Sequence, residues 1–208
     1  MEIKHILPSD IEKESFRIIK EELSEMGKSF PEILEPTIIR VIHTTADFEY
    51  ADTMTFSKDA VTKAKDAIRR GAHIVTDTNM ALQGISKKTL GKYGGEVHCF
   101  MADEEVAKEA KERQVTRAYV SMEKAREIDA PIIYAIGNAP TALIKLREMI
   151  DEGYRPELII GVPVGFVNVV EAKELILETD IPYIINRGRK GGSGVAAAIC
   201  NSILYNMD

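Results

Sequence analysis

The chain is expected to fold as one three-layer α/β/α domain over residues 1–208, built on a five-stranded parallel sheet with a helical segment ahead of it. Three observations predict this class. From residue 73 onward, strand-length apolar runs alternate with helical segments, mostly of ten or more residues, which is the rhythm of βαβ units. The runs PIIYAI, LIIGV and PYII are apolar almost throughout, as strands covered on both faces are. A chain of 208 residues is long enough for one sizeable core and short for two.

In chain order, Ser9 followed by Glu12 reads as a capping box. It opens a helix with Ile11, Ile18, Ile19, Leu23 and Met26 on one stripe, closed by Gly27. Ser15 falls inside that stripe, where a hydroxyl either bonds back to its own helix or points at something polar. Leu34, Ile38, Val41 and Ile42 have helical spacing, with Pro36 beginning or kinking the turn. A linker-like stretch follows, and Ser57 reads as the cap of a helix ending at Gly71. Strands are expected at 73–76, 96–101, 132–136, 158–162 and 183–186, and helices at 103–128, 140–153, 169–178 and 194–205. The result is a Rossmann-like sheet.

Composition removes several functions. No apolar run reaches the roughly 18 residues of a membrane span. The amino-terminal residues turn acidic before a signal-peptide core could form, so the chain is expected in the cytoplasm, with no membrane partner. A net charge of −6 argues against nucleic acid, and an anionic ligand would need locally concentrated positive charge. Cys99 and Cys200 read as two buried thiols rather than a disulfide or redox pair. No Cys/His cluster has metal spacing, so no protein-held metal is expected.

In parallel sheets ligands bind beyond the carboxyl ends of the strands. The loops there read TDTNMALQG, MADEE, GNAPT, GVPVGF and NRGRKGGSG. Each alone could be a tight turn. Four of the five are rich in Gly, Asn, Thr or Arg, and together on one edge they point to a polar, anionic ligand. The last loop lacks the order of a phosphate-binding P-loop. Gly192, Gly194 and Ala197 fit G-x-G-x-x-A, but no acidic residue follows on a further strand roughly 20 residues on, so a dinucleotide is not expected. Arg187, Arg189 and Lys190 remain, either as a clamp for carboxylates or as ordinary solvated charges.

Of four histidines, His5 lies near a terminus, and His73 and His98 sit in strand runs where core histidines with satisfied nitrogens are expected. His43 differs. Arg40 lies three residues before it and Asp47 four after, and a continuous helix would put all three on one side. An imidazole with an ordinary pKa of about 6.5 gives and takes protons at neutral pH. No serine or cysteine is obviously paired with His43, so a triad hydrolase is not supported.

The strings RVIH at 40–43, FS at 56–57, TR at 116–117, AIGNAPTAL at 135–143, GVPVGFV at 161–167 and RGRKGGS at 187–193 together resemble the precorrin-8X methylmutases, including those acting on cobalt-precorrin-8, almost end to end. The resemblance implies a single methylmutase domain, an isomerase that moves a methyl group from carbon 11 to carbon 12 of the tetrapyrrole to give hydrogenobyrinate or cobyrinate in cobalamin biosynthesis. It implies an acid-assisted sigmatropic shift without an external cofactor, any cobalt belonging to the substrate. It further implies a homodimer with the substrate pocket at the interface. His43 would be the proton donor. Ser15, Arg40, Arg117, Asn138, Thr141, Arg187 and Arg189 would contact substrate. Two rivals remain: a tetrapyrrole-binding carrier or sensor without turnover, which the same pocket would serve, and an enzyme acting on a small phosphorylated metabolite.

Overall fold

The computed structural model describes residues 7–208; His5 and the side chain of Ser9 lie outside the described residues. After a short 3-10 turn the chain forms α1 (Ile11–Glu25), α2 (Glu35–Thr45) and the single turn α3 (Tyr50–Thr53), then β1 (Met54–Phe56) and α4 (Ala60–Arg69). There follow β2 (His73–Thr76), the short helices α5 (Asn79–Gly84) and α6 (Lys87–Leu90), and β3 (Val97–His98). The remainder runs α7 (Glu104–Arg113), α8 (Arg117–Ala125), β4 (Ile132–Ile136), α9 (Pro140–Asp151), β5 (Leu158–Gly161), α10 (Val169–Leu177), β6 (Tyr183–Asn186) and α11 (Ser193–Tyr205).

The strands lie in the order β1-β6-β5-β4-β2-β3. The five expected strands are all present and mutually parallel. The sheet has a sixth, because Met54–Phe56 adds an antiparallel edge to β6. Three residues are too few to show a period, so this strand read as a linker. Its register against β6 also reassigns Ser57, whose hydroxyl accepts the Tyr183 N–H at 2.9 Å instead of capping α4. The residue before α4 is Asp59, in a left-handed conformation with φ 59°. The stretch 103–128 is likewise two helices. Gln114 stops the first at φ 55°, and the Thr116 hydroxyl caps the second by accepting the Tyr119 N–H at 3.2 Å.

The strand pattern puts alternate side chains on opposite faces. Ile74, Ile133, Ala135, Leu158, Ile160 and Ile184 pack under α1, α2, α4 and α11. Val75, Ile132, Tyr134, Ile136, Ile159 and Ile185 pack under α8, α9 and α10. Both faces are therefore covered, which is why the strands are apolar throughout. Among the described residues no helix is long and apolar enough to cross a membrane. Cys200 is buried and its thiol is pushed up to about 12 by burial. Cys99 lies just past β3 and is only half-buried.

Candidate active site

The chain runs from β2 to β3 in one direction along the sheet and from β4 through β5 to β6 in the other. The carboxyl ends of β2 and β4 thus flank the point where strand order reverses, the place where open α/β sheets offer a crevice. Asp77 occupies that point. It is fully buried, and its carboxylate accepts the N–H groups of Gly137, Asn138 and Ala139 at 2.9, 2.8 and 2.5 Å. Burial pushes this carboxyl up from its ordinary range, against the pull of the three N–H donors. The amides ahead of α9 are therefore already satisfied by an internal anion. What this loop presents to a ligand is side chains, not its backbone N–H groups.

Asn138 is exposed on this edge. The Thr141 hydroxyl shares a hydrogen bond with that of Thr116 at 2.7 Å, which ties the amino end of α9 to that of α8. Arg117 is the first residue of α8 and is exposed beside this link.

The second wall is helical. α2 and α11 pack antiparallel. Thr37 near the start of α2 bonds Ser202 near the end of α11 at 2.8 Å, and at the other end Thr44 lies against Gly194. The carboxyl end of α2 is thereby placed at the amino end of α11, which follows the β6 loop directly. His43 lies in the last turn of α2 and is exposed. Its ring stands edge-on to Phe16 of α1, with centroids 5.3 Å apart and planes at 86°. No hydrogen bond to its ring nitrogens is formed by the described residues.

Arg40, one turn earlier, is held between two aromatic rings, 5.2 Å from the centroid of Phe16 and 5.0 Å from that of Tyr205. It donates to Glu12 at 3.0 Å. Arg40, Phe16, Lys20 and Tyr205 line a cavity of about 290 Å³. Ser15 is half-buried, and its hydroxyl bonds back to the Ile11 carbonyl at 2.9 Å, the first of the two alternatives open for it. Asp47 does not share a helix with His43. α2 ends at Ala46 in a left-handed conformation, and Asp47 instead takes the Lys190 ammonium at 2.5 Å. That ion pair holds the Asp47 carboxyl below its usual range.

The β6–α11 loop is built from beneath. Lys173 of α10 is fully buried and donates to the carbonyls of Gly188 and Lys190 at 2.7 and 2.9 Å. Desolvation pulls its ammonium down to about 8. Asn186 donates to the Lys190 carbonyl at 3.0 Å and accepts from Thr53 at 2.6 Å. Gly191 lets the loop pass hard against β5: a Cβ there would lie 2.0 Å from the Val162 carbonyl oxygen. The three basic residues of the loop splay apart. Arg187 faces Glu174 at 3.8 Å, Lys190 faces Asp47 and Glu49, and Arg189 lies over Phe166 with 5.4 Å to the ring centroid.

Asp77 and Lys173 were not among the residues singled out from the sequence. Lys173 did leave a signal. It falls at a core-stripe position of α10, one residue after Ala172 and three before Ile176, where a lone cation needs an internal partner. Asp77 left none beyond its place in the TDTN loop.

Comparisons with known proteins bear on the family and the fold. A family model described as precorrin-8X methylmutase matches residues 10–206. The chain is 44% identical over 205 residues to the cobalt-precorrin-8 methylmutase of Priestia megaterium, covering 98% of this chain and 90% of that protein. It is 41% identical to the cobalt-precorrin-8 methylmutase of Salmonella typhimurium, with 96% of both chains covered. The crystal structure of the precorrin-8X methylmutase from Thermus thermophilus superposes with a TM-score of 0.86 at 39% identity, covering 95% of this chain and 97% of that one.

Proposed function

Because the chain belongs to the precorrin-8X methylmutase family, we propose that it moves a methyl group from carbon 11 to carbon 12 of precorrin-8 or cobalt-precorrin-8, giving hydrogenobyrinate or cobyrinate in cobalamin biosynthesis. It is an isomerase. The bond from carbon 11 to the methyl group breaks as the bond to carbon 12 forms, so substrate and product have the same atoms and no co-reactant is consumed. The protein supplies a fixed geometry and a proton donor.

The observation that carries this reading is His43, an exposed imidazole at the carboxyl end of α2, beside the amino end of α11 at the ligand-facing edge of the sheet. It donates a proton, or a strong hydrogen bond, to a nitrogen or carbon of ring C, and the resulting positive charge favours migration. The proton returns to His43 once the methyl group has moved. Arg40, fixed between Phe16 and Tyr205, pairs with a peripheral carboxylate in place of Glu12. Arg117, Arg187 and Arg189 meet other carboxylates of the rim, while Asn138, Thr141 and Ser15 supply neutral contacts. No external cofactor takes part, and cobalt, where present, is part of the substrate.

We further place the pocket at the interface of a homodimer in the cytoplasm. Two residues after β5 support the interface: Phe166 and Val167 are 81% and 78% exposed at the carboxyl edge of the sheet. Apolar side chains grouped this way mark a covered surface or a ligand wall. Replacing His43 by Asn tests the assignment. The variant is expected to bind product but to convert precursor, followed by its visible absorption change, at least about a hundredfold more slowly. Conversion at the normal rate would refute the role of His43. A wild-type protein that binds tetrapyrrole but never converts it would be a carrier.

A further inference from the structure

We propose that His73, Glu96 and His98 form a binding site for one divalent first-row transition ion at the β3 edge of the sheet, apart from the substrate edge. The site joins two strands. Ile74 pairs with Val97 and Val75 with His98, so residues 73, 96 and 98 all point to the same face. The Ile74 N–H bonds the Glu96 carbonyl at 2.8 Å, which fixes Glu96 beside β2. His73 Nδ1 and His98 Nε2 are 2.8 Å apart, and a Glu96 carboxylate oxygen is 4.0 Å from His98 Nε2.

All three ligand atoms lie within 4.8 Å of one another. Two ligands of a single zinc-like ion lie at most about 4.2 Å apart, so a small rotation of the exposed Glu96 closes the set. In the ion-free pair one imidazole donates its N–H to the other. Moving the donor ring's one proton to its outward nitrogen, as neutral imidazole permits, leaves both inner lone pairs free for the ion.

Two imidazoles and a carboxylate suit borderline ions such as Ni²⁺, Co²⁺, Cu²⁺ and Zn²⁺ rather than Mg²⁺ or Ca²⁺. Sequence spacing conceals the site, because His73 and His98 lie 25 residues apart. An ion there would also pin β3, which has only two paired residues, to β2.

The test is calorimetric titration of tag-free, chelator-treated full-length protein with Ni²⁺, Co²⁺ and Zn²⁺. One ion per chain is expected at micromolar affinity, with Tm rising as the ion is added. Glu96→Gln should weaken binding about tenfold, and the double variant His73→Gln/His98→Gln should abolish it. Both variants should keep wild-type isomerase turnover without added metal. If the double variant unfolds, His98→Gln alone carries the test, with loss of the stoichiometric site expected. No binding by the wild-type chain, or an unchanged stoichiometric site in the His98→Gln protein, would overturn the proposal in favour of a simple hydrogen-bonded histidine pair.

Discussion

The Phe16 ring stands at right angles to that of His43 and, at the same time, lies under the guanidinium of Arg40. One side chain from α1 thus contacts both of the α2 residues proposed to act on substrate. Phe16 is partly buried against the core below, so its own position is set by packing. Phe16→Leu keeps most of that apolar contact but removes the ring that orients His43 and Arg40. Each aromatic contact is worth about 0.5–1.5 kcal/mol. We expect the variant to stay folded and kcat to fall about tenfold, which corresponds to about 1.4 kcal/mol. Steady-state kinetics beside a thermal melt checks this, and a drop in Tm with unchanged kcat would show Phe16 to be structural only.

The Asp77 carboxylate holds the loop that begins IGNAPT through three N–H donors. Asp77→Asn keeps one acceptor oxygen but turns an NH₂ group towards backbone donors. Leaving a buried polar group unmatched costs about 1–3 kcal/mol. The variant should therefore unfold at lower denaturant, by about 2 kcal/mol or more, with little change in m. Denaturation followed by circular dichroism measures this directly.

Much of this arrangement is legible in the sequence. The strands Ile132–Ile136 and Tyr183–Asn186 stand where their continuous apolar runs put them, because parallel strands buried on both faces leave an unmistakable run. Met54–Phe56 leaves none, since it is three half-buried residues at an edge whose partner is more than 120 positions away. The same limit hides the supports of the site. Asp77 acts on residues 60 positions later, and Lys173 on carbonyls 15 and 17 positions later. The pairing of Asp47 with His43 was suggested by helical spacing, and it is lost because the chain leaves the helix at Ala46 to bring Asp47 to Lys190. Local spacing predicts neighbours only while one element continues.

Lys173 gives a pH dependence with a definite sign. Its folded pKa is depressed to about 8 from 10.5. Between those values the unfolded chain holds the proton that the folded chain has lost, so stability rises with pH across this window. Below about pH 8 the folded chain carries the penalty of the buried ammonium in full. The neutral amine can still donate to both carbonyls, so the loop stays supported. In Lys173→Met this contribution is absent. The stability of the wild type relative to Lys173→Met should thus climb between pH 8 and 10.5, by up to about 3 kcal/mol. Chemical denaturation of both proteins across that range makes the comparison, and a flat difference would mean that Lys173 titrates normally.

Two glycines of the same loop separate close approach from backbone conformation. At Gly191 a Cβ would sit 2.0 Å from the Val162 oxygen and 3.0 Å from the Pro163 oxygen, both backbone atoms that cannot turn aside. At Gly188 φ is +73° and nothing lies within 4 Å of the added carbon. An alanine at 188 therefore meets only the left-handed conformational cost, about 1–2 kcal/mol. An alanine at 191 must push the loop off β5, breaking the Gly192 N–H bond to Val162 at 2.9 Å, and overpacking of this kind costs about 3 kcal/mol or more. Gly191→Ala should accordingly destabilise the protein more than Gly188→Ala in matched urea titrations. The order would reverse if the loop could lift freely from the sheet. Because Lys173 and Asn186 both grip its carbonyls, it has no such freedom.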